Sequence, residues 1–314
     1  MAGPDYRPEA LAAPSLFGCD FSSAPSRRKA IVLAIGSRRG SAVSLSALHQ
    51  LDSLAAFGAW LAGAGNWLGA FDFPFGLPRE LVQALGWPLQ WEPCIRYYAG
   101  LSRAEIRDRF AAFCQARPTG GKFAHRATDL PAGSSPSMKW INPPVAYMLH
   151  AGVPLLLAAG ARIPGMHGAT GAQTRRRQAA DRVALEAYPG LLARELIGRE
   201  SYKSDAPMRQ NSARALARGR ILQALETGRT RLGLSLELTP AQHAQLLGDG
   251  SGDTLDAVLC LVQAAWAEQR HAQGDAGYGL PEGFDPLEGW IITASAGDRH
   301  PKTIEALGAA TPRA

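Results

Sequence analysis

The residues from Leu16 to Leu48 read LFGCDFSSAPSRRKAIVLAIGSRRGSAVSLSAL and contain three short apolar runs that are separated by polar segments. Leu16–Asp20 and Ala30–Ile35 are nearly continuous apolar runs, which predicts two buried strands. Ala42–Leu48 alternates apolar and polar residues, as in a strand with one exposed face. We therefore predict an antiparallel meander of three strands, with a turn at Gly36–Gly40 between the second and the third.

The pattern after the meander alternates between helical and strand periods. The predicted elements are a helix at Asp52–Ala64, a strand at Asn66–Phe71, a short helix at Val145–Ala151, a strand at Arg182–Tyr188, helices at Met208–Leu225, Pro240–Leu247 and Thr254–Gln269, and a final strand at Trp290–Ala294. In the basic helix at Met208–Leu225 we expect Leu216 to face inward and Arg218 to face solvent. Strands first and alternation later predict an α/β fold.

The composition is that of a folded globular chain. Hydrophobic types make up 46% of the 314 residues and charged types 19%, with a formal net charge of +6. These values exclude a disordered chain, which needs low hydrophobicity and high charge. We expect one domain over 16–296 with an insertion at about 79–140, a flexible N-terminus over 1–15 and a C-terminal tail over 297–314.

The cysteines and the apolar runs indicate the compartment. Cys19, Cys94, Cys114 and Cys260 form no paired spacing, so we expect free thiols, which fit a reducing cytosol. The seven histidines form no zinc-binding pattern. No apolar run reaches the ~18 residues that a membrane span needs, and Met1–Ser15 lacks the features of a signal peptide. The sequence predicts a cytoplasmic protein.

Acidic residues lie at the ends of several predicted elements. Asp20 ends the first strand, Asp72 follows the fourth, and Glu186 lies within a later apolar run, while Asp253 and Asp256 open the late helix. A buried carboxylate is costly without a partner, and several together repel one another. A divalent cation removes the repulsion, and hard oxygen ligands suit Mg²⁺ or Mn²⁺.

Each of these acids also has an ordinary structural interpretation. Asp253 could cap its helix, and Asp256 lies in the first turn, where negative charge is favoured. Asp20 and Asp72 could be turn residues, and Glu186 could pair with an arginine. For each acid taken singly, the sequence does not decide between the structural role and the metal-binding role. Their joint position at the ends of successive elements favours a shared site.

The acids stand in six short motifs whose order resembles a known family. The motifs are GCDFSS around Asp20, FDFPFGLP around Asp72, EAYP from Glu186, YK at Tyr202–Lys203, DTLDA from Asp253 and EGWII from Glu288. In this order the chain resembles the family named domain of unknown function 429, whose members are described as predicted nucleases. The resemblance spans about residues 16–294. It implies an RNase H-like mixed five-stranded sheet with flanking helices.

The resemblance also implies a two-metal site that hydrolyses a phosphodiester. By position, Asp20, Asp72, Asp253 and Asp256 would hold Mg²⁺ or Mn²⁺, and Glu186 would join them as a catalytic acid. Hydroxyl and basic residues would contact phosphates. The candidates for that role are Ser22, Ser23, Arg27, Arg28, Arg176 and Lys203. For Lys203 a contact with a carboxylate is the alternative. The partner would be nucleic acid or a nucleotide-like phosphate ligand, and the oligomeric state stays unknown.

Two other functions stay open at this level. Sugar kinases and actin-like ATPases share the RNase H-like core, and Ser22 and Ser23 after Asp20 could hold nucleotide phosphates. Those proteins contain two copies of the core, whereas this chain has room for one, and no G-x-x-x-x-G-K-[ST] motif occurs. In a non-catalytic binding protein the acids would be structural pairs and the insertion would form a pocket.

Overall fold

The computed structural model describes residues 15–168 and 181–295. Its strands are β1 (Ser15–Asp20), β2 (Ile31–Arg39), β3 (Ala42–Leu51), β4 (Trp67–Phe71), β5 (Arg182–Glu186) and β6 (Ser235–Glu237). They form one mixed sheet in the order β5-β4-β1-β2-β3-β6. The α/β class is confirmed. Arg176, the predicted C-terminal tail and, apart from Ser15, the predicted N-terminal segment lie outside the described residues.

The first three strands form the predicted meander. β1 and β2 pair antiparallel, as do β2 and β3, and β4 and β5 extend the sheet parallel to β1. The hairpin between β2 and β3 is longer than predicted, because Gly36–Arg39 belongs to β2 and the turn lies at Gly40–Ser41. Gly40 adopts a φ of +61°, which suits a tight two-residue turn. The polar residues for which a turn was predicted are the last residues of β2, and they are still paired with β3.

The sequence prediction missed one strand and placed another where none exists. β6 pairs parallel to β3 and was not predicted, so the sheet has six strands rather than five. Trp290–Ala294 is buried but is not a strand. Thr293 has a φ of +69°, which extended backbone excludes. Burial alone explains the apolar residues there, and an apolar run by itself does not separate a strand from a buried irregular segment.

Helices cover both faces of the sheet. They are α1 (Leu54–Gly63), α2 (Arg79–Ala84), α3 (Trp91–Ala99), α4 (Arg103–Gln115), α5 (Asp129–Ala132), α6 (Val145–Ala158), α7 (Pro189–Ile197), α8 (Ser212–Glu226), α9 (Pro240–Gly248) and α10 (Asp253–Ala272). The face with α7 to α10 and the face with α1 to α4 and α6 each bury their own apolar cluster. Side chains of β1 and β2 alternate between the two clusters, so the sheet is the middle of three layers.

Two expectations about the whole chain can be compared with the described residues. All four cysteines are buried free thiols, which confirms that no disulfide framework is present among them. Within 15–168 and 181–295, none of the helices combines the length and the apolar character needed to cross a bilayer. The helix predicted at Val145–Ala151 is longer than expected, because α6 runs from Val145 to Ala158.

The orientation of α8 differs from the sequence prediction. Leu216 is 66% exposed, whereas Arg218 is only 4% exposed. The buried face of α8 carries Ala217, Ile221, Leu222 and Leu225, and it takes in the arginine because carbonyl oxygens satisfy the guanidinium. Arg218 Nη1 donates to the Tyr202 carbonyl oxygen at 2.7 Å and Nε to that of Leu247 at 2.9 Å. A periodic pattern does not reveal such a polar anchor.

Helix α10 lies unusually close to β1. A Cβ placed on Gly18 would come within 2.1 Å of the Ala257 carbonyl oxygen and of the Leu261 amide nitrogen. The stripe of small residues on α10, including Cys260, makes this approach possible. Because Gly18 precedes Asp20 by two residues, the close packing also sets how near the start of α10 comes to the end of β1.

We expect Gly18→Ala to lower the free energy of unfolding by about 3 kcal/mol, at the upper end of overpacking costs. The added methyl group meets backbone atoms of α10 that no rotamer change can move. Urea unfolding at neutral pH measures the effect. Gly63→Ala is the matched control: a Cβ placed on this helical glycine meets nothing within 4 Å beyond its own helix, so the variant should be unchanged or slightly more stable. Equal stability of the two variants would contradict the close packing.

Candidate metal centre

Three carboxylates meet at one edge of the sheet. Asp20 is the last residue of β1, Asp72 directly follows β4, and Asp256 lies in the first turn of α10. One carboxylate oxygen of each lies within 4.8 Å of the other two. β1 and β4 are parallel, so their carboxyl ends reach the same edge. The close approach of α10 brings the third acid there. We name Asp20, Asp72 and Asp256 the acidic triad.

The surroundings of the acidic triad disfavour the ionised form of its carboxyl groups. Burial, followed by the charge of Asp256, raises the pKa of Asp20 well above its ordinary value. The same two causes raise the pKa of Asp72 to about 7. Burial also raises the pKa of Asp256, although Lys203 opposes the rise. Hard oxygen donors that crowd together and resist ionisation are a donor set that a divalent cation would stabilise. The residues present therefore fit Mg²⁺ or Mn²⁺.

In metal-free buffer we expect the protein to lose stability as pH rises from about 4 to about 8. The pKa of Asp72 lies at about 7 in the folded state and at about 3.9 in an unfolded chain. The folded state thus binds this proton more tightly. The resulting stabilisation, on the order of 4 kcal/mol, is complete below about pH 4 and is lost as pH rises through 7.

Thermal melts of wild type and Asp72→Asn in EDTA, taken at several pH values, measure this pH dependence. The asparagine variant should overtake the wild type in melting temperature as pH rises through 7. Added Mn²⁺ should restore the wild type alone. If the melting temperatures of both proteins change with pH in the same way, Asp72 is not the cause of the loss of stability.

Asp256 already has a partner for each of its oxygens. Tyr202 Oη donates to Oδ1 at 2.5 Å, and the Lys203 ammonium group pairs with Oδ2. Burial alone would lower the pKa of Lys203, but the charge of Asp256 raises it well above its ordinary value. Lys203 was predicted to contact a phosphate or a carboxylate, and here it holds a carboxylate. Tyr202 stands in a motif of the sequence, but no role was predicted for it.

Asp253 lies outside the acidic triad. Its Oδ1 accepts from Lys29 Nζ at 2.6 Å, and the same ammonium group pairs with Asp205 at 2.8 Å. The open alternative that Asp253 caps α10 is wrong: the cap residue is Gly252, and the Asp249 carboxylate accepts from the Thr254 amide nitrogen at 2.9 Å. The ion pair with Lys29 places a second lysine beside the triad.

Glu186 belongs to a different, fully buried network. Arg126 Nη1 and Nη2 donate to its two carboxylate oxygens at 2.8 and 2.7 Å, and the Phe75 amide donates to Oε2 at 2.9 Å. Arg126 also pairs with Asp129, whose side chain has no exposed surface. The structure therefore corrects the expectation that Glu186 joins the other acids. The alternative of a structural arginine partner is the one observed.

Most of the predicted phosphate-binding residues lie on the segment between β1 and β2. Ser22 accepts from the Ala24 amide at 3.4 Å, and buried Ser23 accepts from Arg103 Nη2 through its carbonyl oxygen at 2.6 Å. Arg27 and Arg28 are exposed on the segment between β1 and β2, with Arg27 only 3.8 Å from Asp52. Of the predicted substrate residues that the structure describes, Lys203 is the one that contacts the acidic triad.

A cleft opens beside the triad. It has a volume of about 210 Å³. Its lining consists of residues along the length of α7, including Arg194, of Gly198 and Glu200 after that helix, and of Asp72, Tyr188, Tyr202 and Lys203. Concave sites with a few convergent polar groups are where ligands bind. The cleft gives a ligand a path to Asp72 and Lys203.

The chain was compared with protein-family models, with curated proteins and with solved structures, and no match was found in any of the three. Its function is therefore inferred from the geometry of the acidic triad and the cleft.

Proposed function

We propose that this chain is a Mg²⁺- or Mn²⁺-dependent hydrolase of phosphodiester bonds, a nuclease with an RNase H-like fold. The observation that carries the proposal is the meeting of Asp20, Asp72 and Asp256 oxygens within 4.8 Å at one edge of the sheet. Three carboxylates from two strands and a helix have no structural need to meet there, because burial and mutual repulsion make the arrangement costly.

The topology supports the RNase H-like part of the proposal. Five of the strands run in the order β3-β2-β1-β4-β5, with β2 antiparallel to the others. This is a mixed sheet with an antiparallel meander first and parallel strands after it, as the resemblance to family 429 implies. In the proposal β6 is an addition at the outer edge.

The three carboxylates of the triad would hold the ion. When bound, the ion would lower the pKa of a water molecule and neutralise charge on the phosphate. The chain's own residues prepare the site: Tyr202 fixes the orientation of Asp256 through Oδ1, and Arg218 holds the Tyr202 backbone in place. The cleft beside Asp72 admits the phosphate to the exposed side of the triad.

Cleavage assays test the proposal directly. Fluorescently labelled single-stranded DNA, double-stranded DNA and RNA would each be incubated with the purified protein in Mn²⁺, in Mg²⁺ and in EDTA. We expect cleavage of at least one substrate in the presence of a metal ion and none in EDTA. Absence of cleavage in every condition, together with no Mn²⁺ binding by isothermal titration calorimetry, would refute the proposal.

The same protein separates the alternative functions in a thermal-shift assay. Stabilisation by Mn²⁺ without nucleotide favours the nuclease, because the metal alone relieves the repulsion within the triad. Stabilisation that requires ATP together with the metal would favour a phosphotransferase or ATPase. A protein that binds Mn²⁺ and an oligonucleotide but cleaves nothing would be a non-catalytic binding protein.

A further inference from the structure

The cleft beside Asp72 continues into a second cavity along α7. The first has a volume of about 210 Å³ and the second about 350 Å³, and they share Arg194, Gly198 and Glu200. The first is smaller than the ~300 Å³ at which pockets for drug-sized ligands begin, so it fits a phosphate group with part of a sugar. Together the cavities form a groove that leads away from the acidic triad.

The charged groups of this groove favour an anion once the triad is neutralised. Arg194 is half-buried and donates to neutral groups, the Ala132 carbonyl oxygen at 2.6 Å and Tyr188 Oη at 3.4 Å. Glu200 is paired with Arg220. The remaining carboxylate of the cleft is Asp72, which the proposed metal would neutralise. Arg194 and Lys203 would then give the groove a positive charge.

Lys203 cannot serve the groove and Asp256 at the same time. Its ammonium group occupies Asp256 Oδ2, and Tyr202 occupies Oδ1. A cation bound by the triad needs an oxygen of Asp256 and competes with Lys203 for it. The Lys203 side chain is 41% exposed and lines the cleft, so it has room to turn into the groove when displaced.

We propose that the cleft is the phosphate subsite of the proposed nuclease, and that metal binding opens it by moving Lys203 from Asp256 to the phosphate. This inference rests on the proposed function. It assigns the ligand of the cleft as a phosphate group of a nucleic-acid strand, because Arg194 and Lys203 line a cavity of about 210 Å³. Metal and strand then bind with positive coupling, and by thermodynamic linkage each raises the affinity of the other by the same factor.

Lys203→Met tests the exchange without relying on cleavage. In titration calorimetry with Mn²⁺ alone, we expect the variant to bind Mn²⁺ about tenfold more tightly than wild type, because a competing cation is gone. The second measurement is the fluorescence anisotropy of a labelled single-stranded oligonucleotide with phosphorothioate linkages, with and without Mn²⁺. Mn²⁺ should raise its affinity at least about tenfold in wild type and less than about threefold in Lys203→Met.

Two further variants keep the test decisive. Lys203→Arg retains the positive charge and should retain the coupling. Arg194→Gln should weaken oligonucleotide binding equally with and without Mn²⁺, because Arg194 contacts the groove and not the triad. Circular-dichroism melts establish that the variants are folded.

The outcomes separate this inference from the proposed function. Full coupling in Lys203→Met, or weaker Mn²⁺ binding by that variant, would overturn the exchange while leaving the nuclease proposal intact. A wild type that cleaves nucleic acid but shows no coupling would do the same. A wild type that binds no Mn²⁺ would overturn both.

Discussion

An Asp20→Asn variant is expected to lose metal-dependent cleavage by about 10³-fold, which corresponds to the several kcal/mol that a positioned metal ion contributes to a transition state. The amide removes the charge that the metal requires but keeps the size of the side chain. In EDTA the same variant should melt at a higher temperature than wild type. The reason is that burial and the charge of Asp256 make ionised Asp20 unfavourable in the folded state.

This pair of effects distinguishes a metal ligand from a structural residue. A carboxylate that only stabilises the fold would lose stability on substitution. Asp52→Asn is the control, since Asp52 is exposed and lies outside the triad; it should change neither property. Activity rates with Mn²⁺ and melts in EDTA supply the two readouts. If Asp20→Asn cleaves at the wild-type rate, or melts at a lower temperature than wild type in EDTA, Asp20 does not belong to the proposed site.

The convergence of the triad could be predicted in part, because local pattern places each of the three acids at the end of a strand or the start of a helix. Asp20 ends an apolar strand and Asp72 follows another, and parallel neighbours bring their carboxyl ends to one edge. The small residues of α10 allow it to pack closely on the sheet, where Gly18 meets Ala257. Here local pattern and topology agree, and the position of the acids follows from both.

The rest of the site depends on contacts between residues distant in sequence. Arg126 is 60 residues from Glu186 and stands in a loop rich in glycine, proline and serine, where no periodicity marks it as buried. Asp249, which replaces the expected cap at Asp253, precedes its helix by four residues. A buried structural ion pair can be recognised only when both partners are known. Because the sequence did not identify Arg126 as the partner of Glu186, its pattern favoured Glu186 as a site residue.

The fold errors have the same origin. β6 has three residues and pairs with the first three residues of β3. Three residues are too few for a strand pattern to be detected in the sequence. Arg218 enters the core because two carbonyl oxygens accept from it. Hydrophobic periodicity measures how apolar a face is and not whether a buried polar group finds partners.

Arg126→Met is expected to lower the free energy of unfolding by about 3–5 kcal/mol, since removing one partner of a buried ion pair leaves the other charge uncompensated. Methionine fills much of the volume but leaves the carboxylates of Glu186 and Asp129 buried without their cation. Such a loss is a large part of the roughly 5–15 kcal/mol that stabilises a typical domain. Urea unfolding at pH 7 measures it.

The pH dependence and a second substitution identify the cause. Burial already raises the pKa of Glu186 despite Arg126, and without the arginine the rise should be larger. The destabilisation should therefore shrink as pH falls toward 5, because the folded variant takes up the proton. Adding Glu186→Gln should recover part of the loss. Arg107→Met, at an exposed pair with Asp108, should cost less than about 1 kcal/mol.

Loss of Arg126 should also affect the candidate metal centre, because the sheet connects the two. Glu186 ends β5 and is paired in register with Phe71, which directly precedes Asp72. The Arg126 network also fixes the Phe75 amide on the other side of Asp72. Loss of Arg126 should therefore weaken Mn²⁺ binding in the protein that remains folded, although Arg126 contacts no member of the triad. Undiminished stability and Mn²⁺ affinity in Arg126→Met would show that this network does not support the metal centre.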